Sequence, residues 1–140
     1  MDSDMLAREA VAARELAYAP YSGFRVGAAL QADNGKTYSG CNIENASYGA
    51  TLCAERTAIA KAISDGARHI VAMAVVGDSA TEITPCGICR QVISEFTVPE
   101  TPIWCGTRDG LFTCRTMREL LPFAFTPADL ASASGSRENG

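Results

Sequence analysis

Residues 70 to 76 read Ile70-Val71-Ala72-Met73-Ala74-Val75-Val76, and polar turns bound them on both sides. An apolar run this unbroken suits a central strand buried on both faces. A helical pattern stands on each side of it. Upstream, Ala54, Ala58, Ile59, Ala62 and Ile63 recur at helix spacing from Cys53 to Ile63, and Gly66 follows as a stop. Downstream, Pro85 precedes a second helix from Cys86 to about Phe96, since proline restricts the residue before it and fits a helix start. Each helix opens on cysteine, in Cys53-Ala54-Glu55 and in Pro85-Cys86-Gly87-Ile88-Cys89. Because buried strands precede both, their N-termini can meet at one end of a sheet.

Farther out, residues 4 to 18 form a helical pattern with an apolar stripe of Leu6, Ala10, Ala13 and Ala17, ended by Pro20. Phe24 to Ala32 alternates as a strand, and Asp33-Asn34-Gly35 supplies residues that accept the positive φ of a hairpin turn. Lys36 to Ile43 returns as the second strand, and 44–52 is a loop of small and polar side chains. Pro102 to Cys105 and Leu111 to Thr116 are short strands whose link is too brief for a parallel crossover, so they form an antiparallel hairpin. Thr116 caps a helical turn with Glu119 three residues on, and 127–130 forms another. The sequence implies one α/β domain over 1–130, a mixed sheet with helices on both faces. Residues 131–140, without an apolar anchor, read as a disordered tail.

The balance of 47% hydrophobic and 20% charged residues is that of a soluble globular chain. No apolar run approaches the ~20 residues of a membrane helix, and Met1-Asp2-Ser3-Asp4 lacks the basic start of a signal peptide. The net charge of −4 argues against a nucleic-acid partner. Six cysteines without a secretion signal point to a cytoplasmic protein using thiols for metal or redox chemistry. His69 is the one histidine, which removes most other zinc-site designs and reads as a surface or structural residue.

Three thiols and a carboxylate thus gather in two short segments. Cys53, Cys86 and Cys89 could bind zinc and leave a fourth position for water, with Glu55 close enough to handle that water's protons. Alone, Cys86-x-x-Cys89 also fits a redox pair opening a helix. It also fits half of a structural zinc site completed by Cys41, Cys105 or Cys114. The two motifs together, separated by a buried strand, favour the catalytic zinc reading and match the pattern of zinc-dependent deaminases. Three thiolates on Zn²⁺ leave a net charge of −1, so charge must be drawn from the sulfurs. Two helix N-termini and Arg56, donating to the thiolates, can do this. Arg90 is a weaker candidate for the same task.

The residues resemble the small homotetrameric cytidine deaminases from about Ala17 to Leu130. The stretches that carry the resemblance are Tyr18-Ala19-Pro20-Tyr21-Ser22, Phe24-Arg25-Val26-Gly27-Ala28-Ala29, Gly40-Cys41-Asn42-Ile43-Glu44-Asn45-Ala46-Ser47-Tyr48, Cys53-Ala54-Glu55-Arg56-Thr57-Ala58, Pro85-Cys86-Gly87-Ile88-Cys89-Arg90-Gln91 and Glu119-Leu120-Leu121-Pro122. The resemblance implies a three-layer α/β/α sandwich on a five-stranded sheet, one zinc per subunit, and hydrolytic conversion of cytidine and 2′-deoxycytidine to the uridines in pyrimidine salvage. It implies that Asn42 and Glu44 hold the ribose 3′-hydroxyl and that Phe24 and Phe125 pack on the pyrimidine. The Ala54 N–H would bind ring O2, and neighbouring subunits of a homotetramer would supply Tyr48 and Phe125. Glu55 would shuttle protons as water activated by zinc adds to C4. Cys41, Cys105 and Cys114 read as buried free thiols. Deamination of a related nucleoside such as blasticidin S, or a non-catalytic zinc module, is the alternative.

Overall fold

A computed structural model describes residues 3–134. The elements are α1 (Ser3–Arg14), β1 (Val26–Ala32), β2 (Thr37–Cys41), α2 (Ala54–Ser64), β3 (Ile70–Gly77), α3 (Gly87–Glu95), β4 (Pro102–Gly106), β5 (Phe112–Thr116), α4 (Met117–Leu120) and α5 (Pro127–Ser134). The sheet has five strands in the order β2-β1-β3-β4-β5. Only β3 and β4 run parallel, while the other neighbours are antiparallel.

The apolar run 70–76 is the middle strand of this sheet. Alternate side chains of β3 enter opposite layers, as the two-residue period of a strand requires. Met73 and Val75 join Ala58, Ile59, Ala62 and Ile93 of α2 and α3, while Ala72, Ala74 and Val76 join Leu6 and Ala10 of α1. The run is buried on both faces apart from Val71 near its start. Small residues let α2 approach closely. A Cβ on Gly40 of β2 would meet the Ala58 nitrogen at 2.6 Å, so glycine there allows α2, with Glu55 on it, to lie on the sheet.

Several boundaries differ from those the sequence predicts. The first helix stops at Arg14, not near residue 18. The N–H groups of Glu15, Leu16 and Ala17 turn to carbonyls three residues back, and Tyr18 then exchanges backbone hydrogen bonds with Asn42 and Glu44. That long-range pairing takes up the groups that another helical turn would use. Strand β1 starts at Val26, two residues later than expected, because side chains hold the backbone there. The Arg25 N–H donates to Asp78 Oδ2 at 2.9 Å and the Val26 N–H to Asn42 Oδ1 at 2.8 Å. The hairpin turn holds, with Gly35 at φ 82°. Thr116 and Glu119 form the expected capping box. Residues 131–134, which composition assigns to a tail, continue α5, where Asp129 accepts from the Thr126 N–H and hydroxyl at the helix start. Residues 135–140 lie outside the described residues.

Candidate metal centre and substrate cleft

Cys53 is the N-cap of α2 and Cys86 the N-cap of α3, both with extended backbone. Cys89 lies one turn into α3 and is fully buried. The sulfurs of Cys53, Cys86 and Cys89 all lie within 4.8 Å of one another, and Cys53 Sγ is 3.7 Å from Cys86 Sγ. A tetrahedral zinc with Zn–S bonds of about 2.3 Å holds its sulfurs about 3.8 Å apart, so the donor set fits that ion.

The electrostatics suit a cation. The Cys53 thiol is pushed down to about 5, first by its hydrogen bond with Cys89 and then by Arg56 and Cys86. Cys89 is pushed up by the same contact with Cys53 and by burial. Cys53 ionises easily and Cys89 then resists, so a bound cation would favour the thiolate form of both. The first N–H groups of α2 and α3 have no helical acceptors and add positive potential at both caps.

Arg56 Nη2 donates to Cys53 Sγ at 3.7 Å and to the Thr51 carbonyl at 3.2 Å. This arginine therefore ties the thiolate to the loop that precedes it. Arg56→Ala should raise the pH at which activity appears and cost about 10–100-fold in activity or zinc affinity. A pH–rate profile and zinc content equal to wild type would discard this role. Arg90, the weaker candidate, does not share that role. Its guanidinium donates to the Pro85 and Leu120 carbonyls and to Thr84 Oγ1, not to sulfur.

Glu55 stands in the first turn of α2 and is 3% exposed. Burial, with the nearby Cys53 charge adding, pushes its carboxyl up to about 7. A group poised there exchanges protons in both directions near neutral pH. Glu55 lines a cleft of about 460 Å³ together with Phe24, Asn42, Glu44, Cys53, Ala54 and Cys86. Residues separated by more than sixty positions thus meet at the carboxyl end of β3. Ala54 is the first residue of α2, so its N–H has no acceptor within the helix. The Phe24 ring lies over Gly77, where a Cβ would meet it at 2.9 Å, and glycine keeps that wall open.

Asn42 and Glu44 already have partners in the chain. Asn42 Nδ2 donates to the Phe24 carbonyl at 2.8 Å while its Oδ1 holds Val26, so this buried amide fixes the entry to β1. Glu44 Oε1 accepts from the Tyr21 and Ser22 N–H groups at 2.9 and 3.0 Å, and Oε2 accepts from the Ser22 hydroxyl. The Ser22 hydroxyl and these N–H groups hold the carboxyl below its usual range. One lone pair on Oε2 is left over from this count. Ser22 was not a candidate from sequence, since no local pattern links it to a carboxylate 22 positions away.

Phe125 stands apart from the cleft lining within one chain, whereas Tyr48 lines an adjoining cavity with Ser22, Glu44 and Thr51 of the cleft wall. Tyr48 is exposed in a short 3₁₀ turn, edge-on to Tyr21 with centroids 6.1 Å apart. Phe125 is 57% exposed. Of the three remaining thiols, Cys105 is buried and pushed up to about 12 by that burial, whereas Cys41 is half-buried and Cys114 exposed. Cys114 corrects the expectation of burial, because β5 is an edge strand with little cover. None of the three joins the metal group among the described residues.

Residues 2–105 match the model of the cytidine and deoxycytidylate deaminase zinc-binding region, and the chain belongs to that family. Within it, the chain is similar to proteins named cytidine deaminase. The one from Halalkalibacterium halodurans is 52% identical over 130 residues, covering 93% of this chain and 98% of that protein. The one from Sporosarcina psychrophila is 50% identical over 134 residues, covering 96% and 98%. Among solved structures, cytidine deaminase from Burkholderia pseudomallei superposes with a TM-score of 0.84 at 47% identity, covering 89% of this chain and all of that one. The fold is thus the mixed five-stranded sheet with helices of these enzymes.

Proposed function

We propose that this chain hydrolyses free cytidine and 2′-deoxycytidine to uridine and 2′-deoxyuridine, with release of ammonia. The observation that carries this is Glu55, a buried carboxyl with an elevated pKa, set in a nucleoside-sized cleft beside three converging thiols. The relatives' names support the choice of cytidine.

Cys53, Cys86 and Cys89 would hold one zinc per chain, which when bound acidifies a water molecule. Phe24 and the apolar wall of Val26, Leu52 and Ile83 pack on the pyrimidine. The free Ala54 N–H binds O2. Glu55 takes the proton of the attacking water and gives it to N3, which makes C4 electrophilic. After water adds at C4, Glu55 collects the hydroxyl proton and passes it to the amine. The C4–N bond breaks and ammonia leaves. One carboxyl carries every proton, and no second acid is required. Glu44, held charged by Ser22, accepts from a ribose hydroxyl, while Asn42 holds the backbone around the sugar site. The direct test is loss of cytidine absorbance in the ultraviolet with purified, zinc-loaded protein. No turnover at full zinc loading would overturn the proposal.

Self-assembly completes this reading. Phe125 is an exposed aromatic outside the cleft of its own chain, and Tyr48 is exposed at the cleft's edge, as expected of residues offered to a neighbour's site in a homotetramer. Refolding Glu55→Ala and Phe125→Ala chains together should give more activity than the two refolded apart, once mixed assembly is confirmed by mass. Strictly additive activity in confirmed mixed assemblies would place each site within one chain. Six cysteines outside any disulfide fit a reducing cytoplasm, and the proposed reaction would serve pyrimidine salvage. No helix of the described residues is long and apolar enough to cross a membrane.

A further inference from the structure

The two residues that follow Cys89 hold two separate parts of the chain. Arg90 donates from Nε to the Pro85 carbonyl, from Nη2 to Thr84 Oγ1 and from Nη1 to the Leu120 carbonyl, each at 2.7 Å. Gln91 Nε2 donates to the Phe125 carbonyl at 3.0 Å. Thr84 and Pro85 lead directly into Cys86. Leu120 and Phe125 bound the stretch that carries two exposed phenylalanines, Phe123 and Phe125. One turn of α3 therefore grips the approach to the metal centre and both ends of the 120–125 stretch.

That stretch has little else to fix its aromatic side chains. Phe123 is wholly exposed with φ at 56°, a left-handed conformation uncommon for a bulky residue, and Phe125 is more than half exposed. Leu120 is buried in the core and Leu121 packs against it, so the core fixes the start of the stretch but is not what holds the two exposed rings. Polar bonds to the backbone hold the segment at Leu120 and again at Phe125, and an arginine fork is well suited to the task because its donors are planar and rigidly spaced. Three acceptors on one guanidinium cannot shift independently.

We propose that Arg90 and Gln91 are positioning residues that register the Phe125 segment against the Cys86 turn. The proposal rests on the reading of Phe125 as a wall of the substrate pocket. The two have different shares. Gln91 touches only the aromatic segment. Arg90 joins that segment to the turn before Cys86.

The test uses full-length, zinc-loaded protein. Gln91→Leu should keep one zinc per chain and raise KM for cytidine about 10-fold with kcat little changed. Amide exchange followed by mass spectrometry should quicken over 121–126 and stay as in wild type over 84–89. Arg90→Lys keeps the charge but not the fork, so exchange should quicken in both segments and a chelator should remove zinc faster. In a double-mutant cycle, Gln91→Leu with Phe125→Ala should be no worse than Phe125→Ala alone, because the placed ring is already gone. Multiplied losses would overturn the proposal, as would a wild-type KM in Gln91→Leu when Phe125→Ala is impaired. A wild-type KM in Phe125→Ala would instead remove the pocket reading itself.

Discussion

Glu55→Gln protein should bind one zinc per chain, melt close to the wild-type temperature, and deaminate cytidine roughly 10⁴-fold more slowly, the upper range for losing one proton-transfer group. The side chain is isosteric, so the cleft keeps its shape. Glutamine neither accepts a proton from water nor delivers one to N3 or the amine, and the chain offers the same cleft no other carboxyl apart from Glu44. Glu44 cannot substitute. Its oxygens are engaged by Tyr21 and Ser22, and its carboxyl is held below the usual range where Glu55 is raised to about 7. Two carboxyls in one cleft thus have opposite environments and separate tasks: the solvated, hydrogen-bonded one stays charged and the buried one exchanges protons. The measurement is single-substrate kinetics with zinc content determined on the same sample. A Glu55→Gln enzyme turning over at near the wild-type rate with full zinc would assign the proton transfers elsewhere.

Free cytosine should be a far poorer substrate than cytidine, by about 10³-fold in kcat/KM. A site built to hydrogen-bond a substrate hydroxyl discriminates by roughly 10⁴–10⁵ against an analogue that leaves its buried polar groups unpaired. Glu44 is only partly buried, so water can repair some of the loss and the smaller figure is expected here. 5′-Nucleotides should also be disfavoured, since an added phosphate near the Glu44 carboxylate is repelled. Ser22→Ala should weaken the discrimination, because the Ser22 hydroxyl is one of the donors that keep Glu44 charged and oriented. Equal kcat/KM for cytosine and cytidine would mean that the sugar is not read at all.

Much of this site could be read before any fold was known. Cys53, Glu55, Cys86 and Cys89 lie in two short segments, and the chemistry of thiols and a carboxyl is independent of the rest of the chain. The buried run 70–76 and the small-residue helices beside it have periods that local sequence expresses directly. The Thr116–Glu119 capping box is equally local. Less legible were the residues whose partners are distant in sequence. Ser22 acts on Glu44, Asn42 on Val26 and Phe24, and Gln91 on Phe125, over separations of 22, 16, 18 and 34 residues. No periodicity announces such pairs.

Local sequence was enough for the class of the fold, the three thiols that converge, the buried central strand and the carboxyl beside them. Each depends on residue type and short spacing. Arg56 reaches sulfur, as its place beside Glu55 suggested, but the partners of Arg90, the Pro85 and Leu120 carbonyls and Thr84, came from tertiary packing. It also ended α1 at Arg14 and left Cys114 exposed. The physical reason is common to all of them. A backbone group, a guanidinium or a thiol takes the partner that packing brings to it, and that choice is made between elements far apart in the chain.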